Sequence, residues 1–377
     1  MSLMTSERMQ GSVSARISPE LTVVVPTFNE RPSVRTLVDR LDRTLRGVAW
    51  EAIFVDDDSP DGTADEVKAI GAQDYRVRCI RRVGRRGLAG ACVEGMLASQ
   101  APLVAVMDGD LQHDETLLAE MVRLMRSGDY DVVVGSRNLP GGDAAGLSRQ
   151  RWLGSRAAGI LARGVVDRNV TDPLSGFFML RRDIVDGIAR RLSTQGFKIL
   201  LDILISTNGT LRVIELPYHF RKRGDGTSKM DARVVLDFLG LVAAKLTGNV
   251  VPQRFFSFAL VGASGVVVHL AVLKAALVGL GSEFASGQAL ATLIAMLSNF
   301  LLNNVLTYRD QRLKGVGLIT GLLWFCAVCS IGAVSNVAVA SWIYAVAPVW
   351  WLAGVLGSVI GAVWNYAVSS VLVWRSR

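Results

Sequence analysis

The chain has 377 residues, of which 50% are hydrophobic and 20% are charged, and it carries a net charge of +8. Its mean hydropathy is positive and its charges are concentrated before about residue 250, so the composition excludes an ordinary soluble protein. The basic charge suits an anionic membrane surface. Nucleic acid is disfavoured as a partner because no basic motif with stacking aromatic residues occurs. We therefore expect a soluble half followed by a membrane half.

The first 18 residues are polar and lack the apolar stretch of a secretory signal. They predict a disordered tail, and the soluble half is expected to stay in the cytoplasm. The four cysteines fit such a reducing compartment. Two of them form a C-x-x-C, but it lies in an apolar run where small membrane-helix residues are the favoured interpretation.

Short apolar runs alternate with helical patterns in the first third of the chain. The runs, which predict strands, are residues 21–26, 51–58, 77–80, 103–107 and 131–135. The helical patterns are residues 33–46, 63–70, 88–99 and 115–127. This alternation predicts an α/β domain with a mostly parallel sheet, whose ligands bind beyond the carboxyl ends of the strands.

Polar residues follow three of the predicted strands. Asn29 and Glu30 follow the first, the sequence VDDDSPDGT ends the second, and DGDLQH ends the fourth. A single acidic strand end is explained as a helix N-cap, and Asp61 or Thr63 could serve only in that way. Three such ends at one sheet edge predict a binding site instead.

The acids after the fourth strand predict a metal site. Asp108 and Asp110 are two residues apart, so on an extended chain both would face one ligand, and Gly109 would let that ligand approach closely. Two carboxylates this close repel unless a cation lies between them. Together with the Gln112 amide they form an oxygen-only set that suits Mg²⁺ or Mn²⁺ bound to a diphosphate. A capping pair of aspartates in a loop is the alternative.

Basic residues in glycine-rich sequence are candidates for binding phosphate. Arg137 lies in GSRNLPGG, Arg151 in LSRQRWLGSR, and Arg223 and Lys229 in FRKRGDGTSK. Arg binds phosphate oxygens in a planar fork, whereas Lys acts as a point charge. For any one of them a solvated surface charge is the alternative. No P-loop motif occurs in the chain.

The motifs in their order resemble the dolichol-phosphate mannose synthases. The matching sequences are VVVPTFNE, VDDDSPDGT, GRRGLAGA, MDGDLQHDE, VVGSRNLPGG, DPLSGFF, GFKILLDI and RGDGTSK, between about residues 20 and 230. These enzymes are inverting family 2 glycosyltransferases, so the resemblance implies a GT-A (Rossmann-like) α/β fold.

The resemblance also implies a role for each matching residue. Those expected around the donor sugar nucleotide are Pro26, Phe28, Glu30, Val55, Asp57, Asp108, Gly109, Asp110, Lys198, Arg223 and Lys229. Asp108, Asp110 and Gln112 would hold the metal, and Arg137 and Arg151 would bind the acceptor phosphate. Asp108, Asp110, Arg137 and Arg151 are the implied catalytic set. The chain departs from the family in Gly109, where Ala is commoner, in the third acid Asp58, and in Phe28, where Tyr is common.

The membrane half begins with an amphipathic pattern at residues 228–248, which predicts an interfacial helix. Four apolar segments follow, at residues 255–280, 284–308, 316–346 and 349–374, and the third is long enough to include its outer loop. Lys and Arg cluster at one end of these segments, so the positive-inside rule predicts cytoplasmic termini. His269 and Asn365 are expected to pair with other helices, although a polar path is the alternative.

The membrane half contains an internal repeat. SNFLLNNVLTYR, at residues 298–309, matches WNYAVSSVLVWR, at residues 364–375, with Asn, an aromatic residue and a Val-Leu-x-aromatic-Arg ending at the same spacing. The repeat predicts two helical hairpins related by an axis along the membrane normal. It resembles the four-helix GtrA-like domains that are associated with lipid-linked sugars.

These observations predict four regions and one principal function. The regions are the tail at 1–18, the GT-A domain at 19–227, the interfacial helix region at 228–250 and the four-helix transmembrane domain at 251–377. The resemblance implies transfer of mannose from GDP-mannose to dolichol or polyprenyl phosphate at the cytoplasmic membrane face. The alternatives are a UDP-glucose transferase, or a transport or scaffold protein with an inactive transferase domain. The sequence does not indicate the oligomeric state.

Overall fold

The computed structural model describes residues 18–84, 87–142, 170–193, 198–221, 240–244, 247, 250–281, 283–346 and 349–374. The chain divides into two compact units, Met1–Thr194 with Lys198–Gly226 and Gln195–Phe197 with Thr227–Arg377. The predicted tail up to residue 17 and most of the predicted interfacial helix lie outside the described residues, although residues 240–244 are helical. Arg151, Arg223 and Lys229 also lie outside them.

The first unit is built on one seven-stranded sheet with the order β3-β2-β1-β4-β6-β5-β7. Its strands are β1 (Leu21–Thr27), β2 (Trp50–Asp56), β3 (Val77–Arg81), β4 (Leu103–Val106), β5 (Val132–Ser136), β6 (Phe178–Arg181) and β7 (Val213–Pro217). Its helices are α1 (Arg31–Thr44), α2 (Thr63–Gly71), α3 (Leu88–Ala98), α4 (Leu117–Ser127), α5 (Arg182–Ile188) and α6 (Ile199–Ser206). The five predicted strands and four predicted helices are all present, with shifts of one or two residues at most ends.

Strand β6 makes the sheet mixed. It pairs antiparallel with both β4 and β5, whereas the other neighbouring strands are parallel. The sequence pattern does not predict β6 or β7, because short strands such as the four-residue β6 show no periodic pattern.

Helices cover both faces of the sheet, so its central strands are buried on both sides. In β1, Val23 and Val25 belong to one apolar cluster and Val24 to the other. This explains why the run is apolar without alternation. Because β2, β1 and β4 are parallel neighbours, their carboxyl ends meet at one edge of the sheet, as the sequence predicts.

The second unit contains four long helices, α7 (Gln253–Lys274), α8 (Phe284–Leu302), α9 (Val316–Val346) and α10 (Trp350–Leu372). One π-helical turn, Ala275–Gly279, continues α7 and another, Asn303–Thr307, continues α8. Among the described residues, three segments could cross a membrane by length and composition: Gln253–Gly279, Ser286–Thr307 and Val316–Ile343. The expectation that the third segment includes a loop is wrong, because α9 is one continuous helix of 31 residues.

Each of the two helical hairpins, α7–α8 and α9–α10, contains a contact between a glycine and an asparagine. A Cβ on Gly265 of α7 would collide with the Asn299 amide of α8, and one on Gly332 of α9 would collide with the Asn365 amide of α10. Asn299 and Asn365 occupy equivalent places in the sequence repeat. His269 Nε2 lies 3.3 Å from Gln288 Oε1 on α8, so His269 and Asn365 both contact a neighbouring helix.

The two copies of the repeat also meet each other. Tyr308 and Trp374, which are equivalent in the repeat, stack with ring centroids 4.2 Å apart and an interplanar angle of 3°. Phe300 stacks on the same indole at 5.7 Å. These rings belong to a buried aromatic cluster that also contains Phe258 and Phe325. Equivalent residues of the two repeat copies therefore also pack against each other.

Candidate active site

The loop after β1 is tied to the loop after β2. Asn29 has a positive φ of 61° and its N–H donates to Ser59 Oγ at 2.9 Å. The N–H of Glu30 donates to Thr63 Oγ1 at 3.1 Å. Within this anchored turn the ring of Phe28 is 41% exposed, which leaves an aromatic surface at the edge of the sheet.

Two consecutive acids at the end of β2 have different environments. Asp56 is fully buried and accepts a hydrogen bond from Ser59 Oγ at 2.6 Å, so it supports the loop. Asp57 accepts from Arg82 Nη1 and from the Gly87 N–H, both at 2.6 Å. Burial raises the pKa of Asp57, although these two hydrogen bonds oppose the rise. Arg82, which the sequence analysis did not single out, therefore holds Asp57 in place.

The acids after β4 lie in a turn rather than on a strand. Strand β4 ends at Val106, and the next residues form the D-x-D loop, which we define as residues 108–115. The alternation of side chains along a strand therefore does not describe Asp108 and Asp110, and their joint approach to one ligand stays a prediction. Instead, the turn is set by the N–H of Gln112, which donates to Asp110 Oδ1 at 3.1 Å, and by Leu111, whose φ is 63°.

Gly109 packs closely against β1. A Cβ at this position would lie 3.1 Å from Thr27 Cγ2 and 3.3 Å from Val25 Cγ1. These contacts are tight, so a larger residue would push the loop away from the sheet. The predicted reason for this glycine, close approach of a ligand, is not the one that the packing reveals.

The Gln112 amide is held by the main chain of Arg221. Its Nε2 donates to the main-chain carbonyl of Arg221 at 2.9 Å. Because a carbonyl only accepts hydrogen bonds, the nitrogen must be on that side and the oxygen on the other. The side chain is buried, so this orientation is fixed by the fold.

His113 holds Asp108 from inside the domain. Its Nδ1 accepts from the Asp108 N–H at 3.0 Å, and its Nε2 lies 3.7 Å from Asp108 Oδ2. The imidazole stacks on Phe177 at 5.2 Å and meets Phe220 edge-on at 5.7 Å. Burial lowers the pKa of His113 to about 4, although the charge of Asp110 opposes this. The ring is therefore neutral near pH 7, with its proton on Nε2.

Arg137, at the end of β5, forms an ion pair with Asp172. Its Nε and Nη2 donate to the two carboxylate oxygens of Asp172 at 2.8 and 3.0 Å. The side chains are 12% and 3% exposed. Burial disfavours the charged guanidinium, but the bonds to Asp172 outweigh it and hold the pKa of Arg137 above its ordinary value. Arg137 also lies 5.7 Å from the ring of Phe220, the ring that contacts His113.

Asp172 is itself held by β7. Glu215 Oε1 accepts from the Asp172 N–H at 2.9 Å, and Glu215 Oε2 accepts from the Thr171 N–H at 2.8 Å. Glu215 thus holds Asp172, and Asp172 in turn holds the Arg137 guanidinium beside the D-x-D loop. The only sequence signal for Asp172 was its place in the motif DPLSGFF, and Glu215 had none.

Pro26, Val55 and Lys198 are also predicted to bind the donor nucleotide. Pro26 and Val55 are buried cross-strand partners in β1 and β2, so only their main-chain groups could meet a ligand. Lys198 precedes α6 and its Nζ donates to the Leu174 carbonyl at 3.3 Å. The fold thus brings Asp108, Asp110, Gln112 and Arg137 together around His113.

The donor set suits a hard divalent cation. Two carboxylates and an oriented amide oxygen are the ligands expected for Mg²⁺ or Mn²⁺ that is also bound by substrate phosphates. The described residues contain no group of three or more His, Cys, Asp and Glu side chains that could hold a metal.

Comparison with protein families agrees with this division of the chain. Residues 22–188 match the family described as glycosyl transferase family 2. Residues 257–374 match the GtrA/DPMS transmembrane domain. The two matches correspond to the sheet unit and to the four long helices of the second unit.

Individual relatives extend the match over nearly the whole chain. The dolichol-phosphate mannosyltransferase of Pyrococcus furiosus is 31% identical over 360 residues, which cover 95% of this chain and 100% of the relative. The enzyme of the same name from Saccharomyces cerevisiae is 32% identical and covers 59% of this chain and 85% of the relative. Among solved structures, the Mycobacterium tuberculosis glucosyl-3-phosphoglycerate synthase complex with Mn²⁺, UDP and phosphoglyceric acid has a TM-score of 0.47 and 18% identity. That match covers 60% of this chain and 78% of the synthase.

Proposed function

This chain belongs to the dolichol-phosphate mannosyltransferase family, and on that premise we propose that it transfers mannose from GDP-mannose to a polyprenyl phosphate such as dolichol phosphate. The products are polyprenyl-phosphate mannose and GDP. The observation that carries the proposal is the D-x-D loop at the sheet edge, where the Gln112 amide is held by the Arg221 carbonyl and Arg137 is held by Asp172.

Asp108, Asp110 and Gln112 would hold the divalent metal with the donor diphosphate. The metal would supply positive charge that stabilises the leaving GDP. His113 and Arg221 fix the ligands from behind, so they do not need to rearrange when the donor binds. This order before binding favours catalysis, because reorganisation at the moment of reaction is avoided.

The nucleoside of the donor would lie across the ends of β1 and β2. Phe28 offers an exposed ring to the base, and Asp57 offers a carboxylate fixed by Arg82. Pro26 and Val55 contribute through their main chain, while Glu30 borders the same turn. Lys198, Arg223 and Lys229 would add positive charge to the diphosphate.

Arg137 would bind the phosphate of the acceptor, with Arg151 as its partner. Because Nε and Nη2 face Asp172, Nη1 is the group that would donate to a phosphate oxygen. The buried Asp172 holds the guanidinium in one orientation, which reduces the entropy lost when the phosphate binds.

The transfer needs little proton chemistry. A phosphate monoester is anionic at neutral pH, so one of its oxygens attacks the anomeric carbon while the bond from that carbon to GDP breaks. Attack opposite to the leaving group inverts the configuration. Catalysis then rests on positioning and on stabilising the charge of the diphosphate.

We place the helical unit in the membrane with all four helices crossing it and both termini in the cytoplasm. Three segments have the required length and composition, and α10 completes the second hairpin. Arg254, Arg309 and Arg312 lie at one end of the helices, where the positive-inside rule expects the cytoplasm. We further propose that this unit organises the polyprenyl chain of the acceptor.

A donor screen tests the proposal. Purified full-length protein is incubated with Mn²⁺, polyprenyl phosphate and either GDP-[¹⁴C]mannose or UDP-[¹⁴C]glucose, and labelled lipid is extracted. Label from GDP-mannose in the wild type but not in Asp110→Asn is the expected result. Preferential label from UDP-glucose would contradict the choice of donor. No labelled lipid from either donor would favour a scaffold or transport role.

A further inference from the structure

Arg221 connects the segment after β7 to four consecutive residues of the D-x-D loop. Its N–H donates to the Gln112 carbonyl at 2.9 Å and its own carbonyl accepts from Gln112 Nε2 at 2.9 Å. Its guanidinium donates from Nη1 to Glu115 Oε2 at 2.6 Å and from Nη2 to Asp114 Oδ1 at 2.9 Å. A longer contact joins Nη1 to the His113 carbonyl at 3.4 Å.

These bonds act on both parts of the loop. The Arg221 carbonyl binds the nitrogen of the Gln112 amide, so the amide oxygen points away from Arg221. The guanidinium fixes the next three residues, so the loop is held immediately after this ligand. Arg221 and Gln112 are 109 residues apart in the chain, so no local preference of the loop sequence could provide this support.

The Arg221 guanidinium also pairs with two of the four acids in the D-x-D loop. The loop contains Asp108, Asp110, Asp114 and Glu115 within eight residues. Glu115 is only 8% exposed, and a buried carboxylate requires a partner of opposite charge. Arg221 pairs with Asp114 and Glu115, whereas Asp108 and Asp110 are the two acids that the proposed function assigns to the metal.

We propose that Arg221 is a positioning residue for the metal–diphosphate site, because it orients the Gln112 amide and restrains the D-x-D loop without touching the substrate. This inference rests on the proposed function, in which Gln112 is a metal ligand. It assigns to a residue outside the motif pattern the task of keeping the ligand set assembled.

Electrostatics alone predicts the opposite effect when Arg221 is removed. Loss of a positive charge close to a cation site makes the local potential more negative, which should strengthen cation binding. Loss of a positioning residue should weaken binding, because the guanidinium no longer restrains residues 113–115 next to Gln112. The main-chain bonds between residue 221 and Gln112 remain possible in every variant. The sign of the change in Mn²⁺ affinity therefore separates the two explanations.

Arg40 provides a matched control. It reaches the same Glu115 Oε2 from α1 at 3.4 Å, and in the described part of the chain it has no bond to residues 112–114. Arg40→Ala thus removes a positive charge beside the loop but leaves the Arg221 guanidinium bonds intact. Arg221→Lys is a second comparison, since Lys keeps the charge and the main-chain bonds but cannot span two carboxylates.

The experiment measures Mn²⁺ binding to the full-length protein in detergent by the electron paramagnetic resonance signal of free Mn²⁺. Titrations are run with and without GDP, with GDP alone as the blank. We expect Arg221→Ala to weaken Mn²⁺ binding about 10-fold and Arg221→Lys to weaken it less. Arg40→Ala should bind as tightly as the wild type or more tightly.

The possible failures are distinguishable. If the wild type binds Mn²⁺ and Arg221→Ala binds it equally well or more tightly, the positioning role is overturned and the proposed function stands. If the wild type binds no Mn²⁺ with or without GDP, the metal assignment fails and this inference fails with it. Should Arg221→Ala not fold, Arg221→Lys decides alone: equal Mn²⁺ affinity to the wild type overturns the proposal.

Discussion

The two units of the chain hold their buried polar side chains in different ways. At the edge of the sheet, Asp57, His113 and Asp172 each have defined hydrogen-bond partners. Between the long helices, the Asn299 and Asn365 carbonyl oxygens are buried with no hydrogen-bond partner in the described part of the chain. Their amides instead lie against the helix surfaces at Gly265 and Gly332.

The difference predicts how each unit responds when a side chain is substituted. In the sheet unit, position is set by directed bonds, so removing one group should redirect its neighbours and change chemistry or binding. In the helical unit, Asn303 and Asn304 also have hydrogen-bond partners. At the Gly265 and Gly332 contacts, however, position is set by close approach at small residues, as is common between membrane helices. A change there should alter stability before it alters chemistry.

The largest effect is expected at Asp110. We expect Asp110→Asn to lower the transfer rate roughly 10³-fold, because one charged ligand of the diphosphate site is lost. The measurement is formation of labelled lipid from GDP-mannose. Asp61→Asn is the control, since Asp61 caps the turn by accepting from the Thr63 N–H at 3.0 Å and an Asn can do the same. Equal loss in both variants would mean that the effect is structural.

The second prediction concerns how the stability of the sheet unit depends on pH through His113. The pKa of this residue is about 4 in the folded protein and about 6.5 in an unfolded chain. Between these values only the unfolded chain takes up the proton, so the stability from burying a neutral ring is lost as pH falls from about 6.5 to 4. The change amounts to about 3 kcal/mol.

A comparison with His113→Gln isolates this contribution. Hydrogen exchange in the first unit should show that the wild type exceeds the variant in stability by more at pH 7 than at pH 4.5. An advantage that does not change with pH would show that the ring is not buried in the neutral form.

The next effect concerns the acceptor and Arg137. We expect Arg137→Ala to raise the KM for polyprenyl phosphate about 10- to 100-fold while GDP affinity changes little, because a charge-assisted bond to phosphate is lost. The substitution also leaves Asp172 buried without its partner. The double variant Arg137→Ala with Asp172→Asn removes that orphan charge, so it should restore stability without restoring the KM. A fall in GDP affinity with lipid affinity intact would reverse the assignment.

The smallest effect is expected in the helical unit. Gly265→Leu should destabilise the protein in detergent by about 1–3 kcal/mol, since the new side chain collides with Asn299. Gly262, one turn away on the same helix, has open space on its Cβ side, so Gly262→Leu should leave the thermal midpoint unchanged. Transfer by the folded fraction should be normal in both. Equal midpoints would show that the glycine–asparagine contact does not hold the helices together.

Local pattern was sufficient to predict much of the molecule. The apolar runs identify five strands and the intervening helices, because strand and helix formation depend on residues close together in the chain. The acids after the fourth strand predict a site, because strand ends in a parallel sheet share one edge. The repeated Asn-aromatic motif predicts equivalent packing in two hairpins, and the Gly265–Asn299 and Gly332–Asn365 contacts agree with it.

Only the tertiary structure determined how the site is held. The bonds of Arg137 to Asp172, of Asp172 to Glu215, and of Arg221 to the D-x-D loop join residues 35, 43 and 109 positions apart. Which residues meet across such distances depends on the order of the strands, including the antiparallel β6 that the sequence pattern does not reveal. A sequence motif therefore identifies the groups that face a ligand, whereas the groups behind them are selected by sheet order and burial, because neither leaves a periodic signal in the chain.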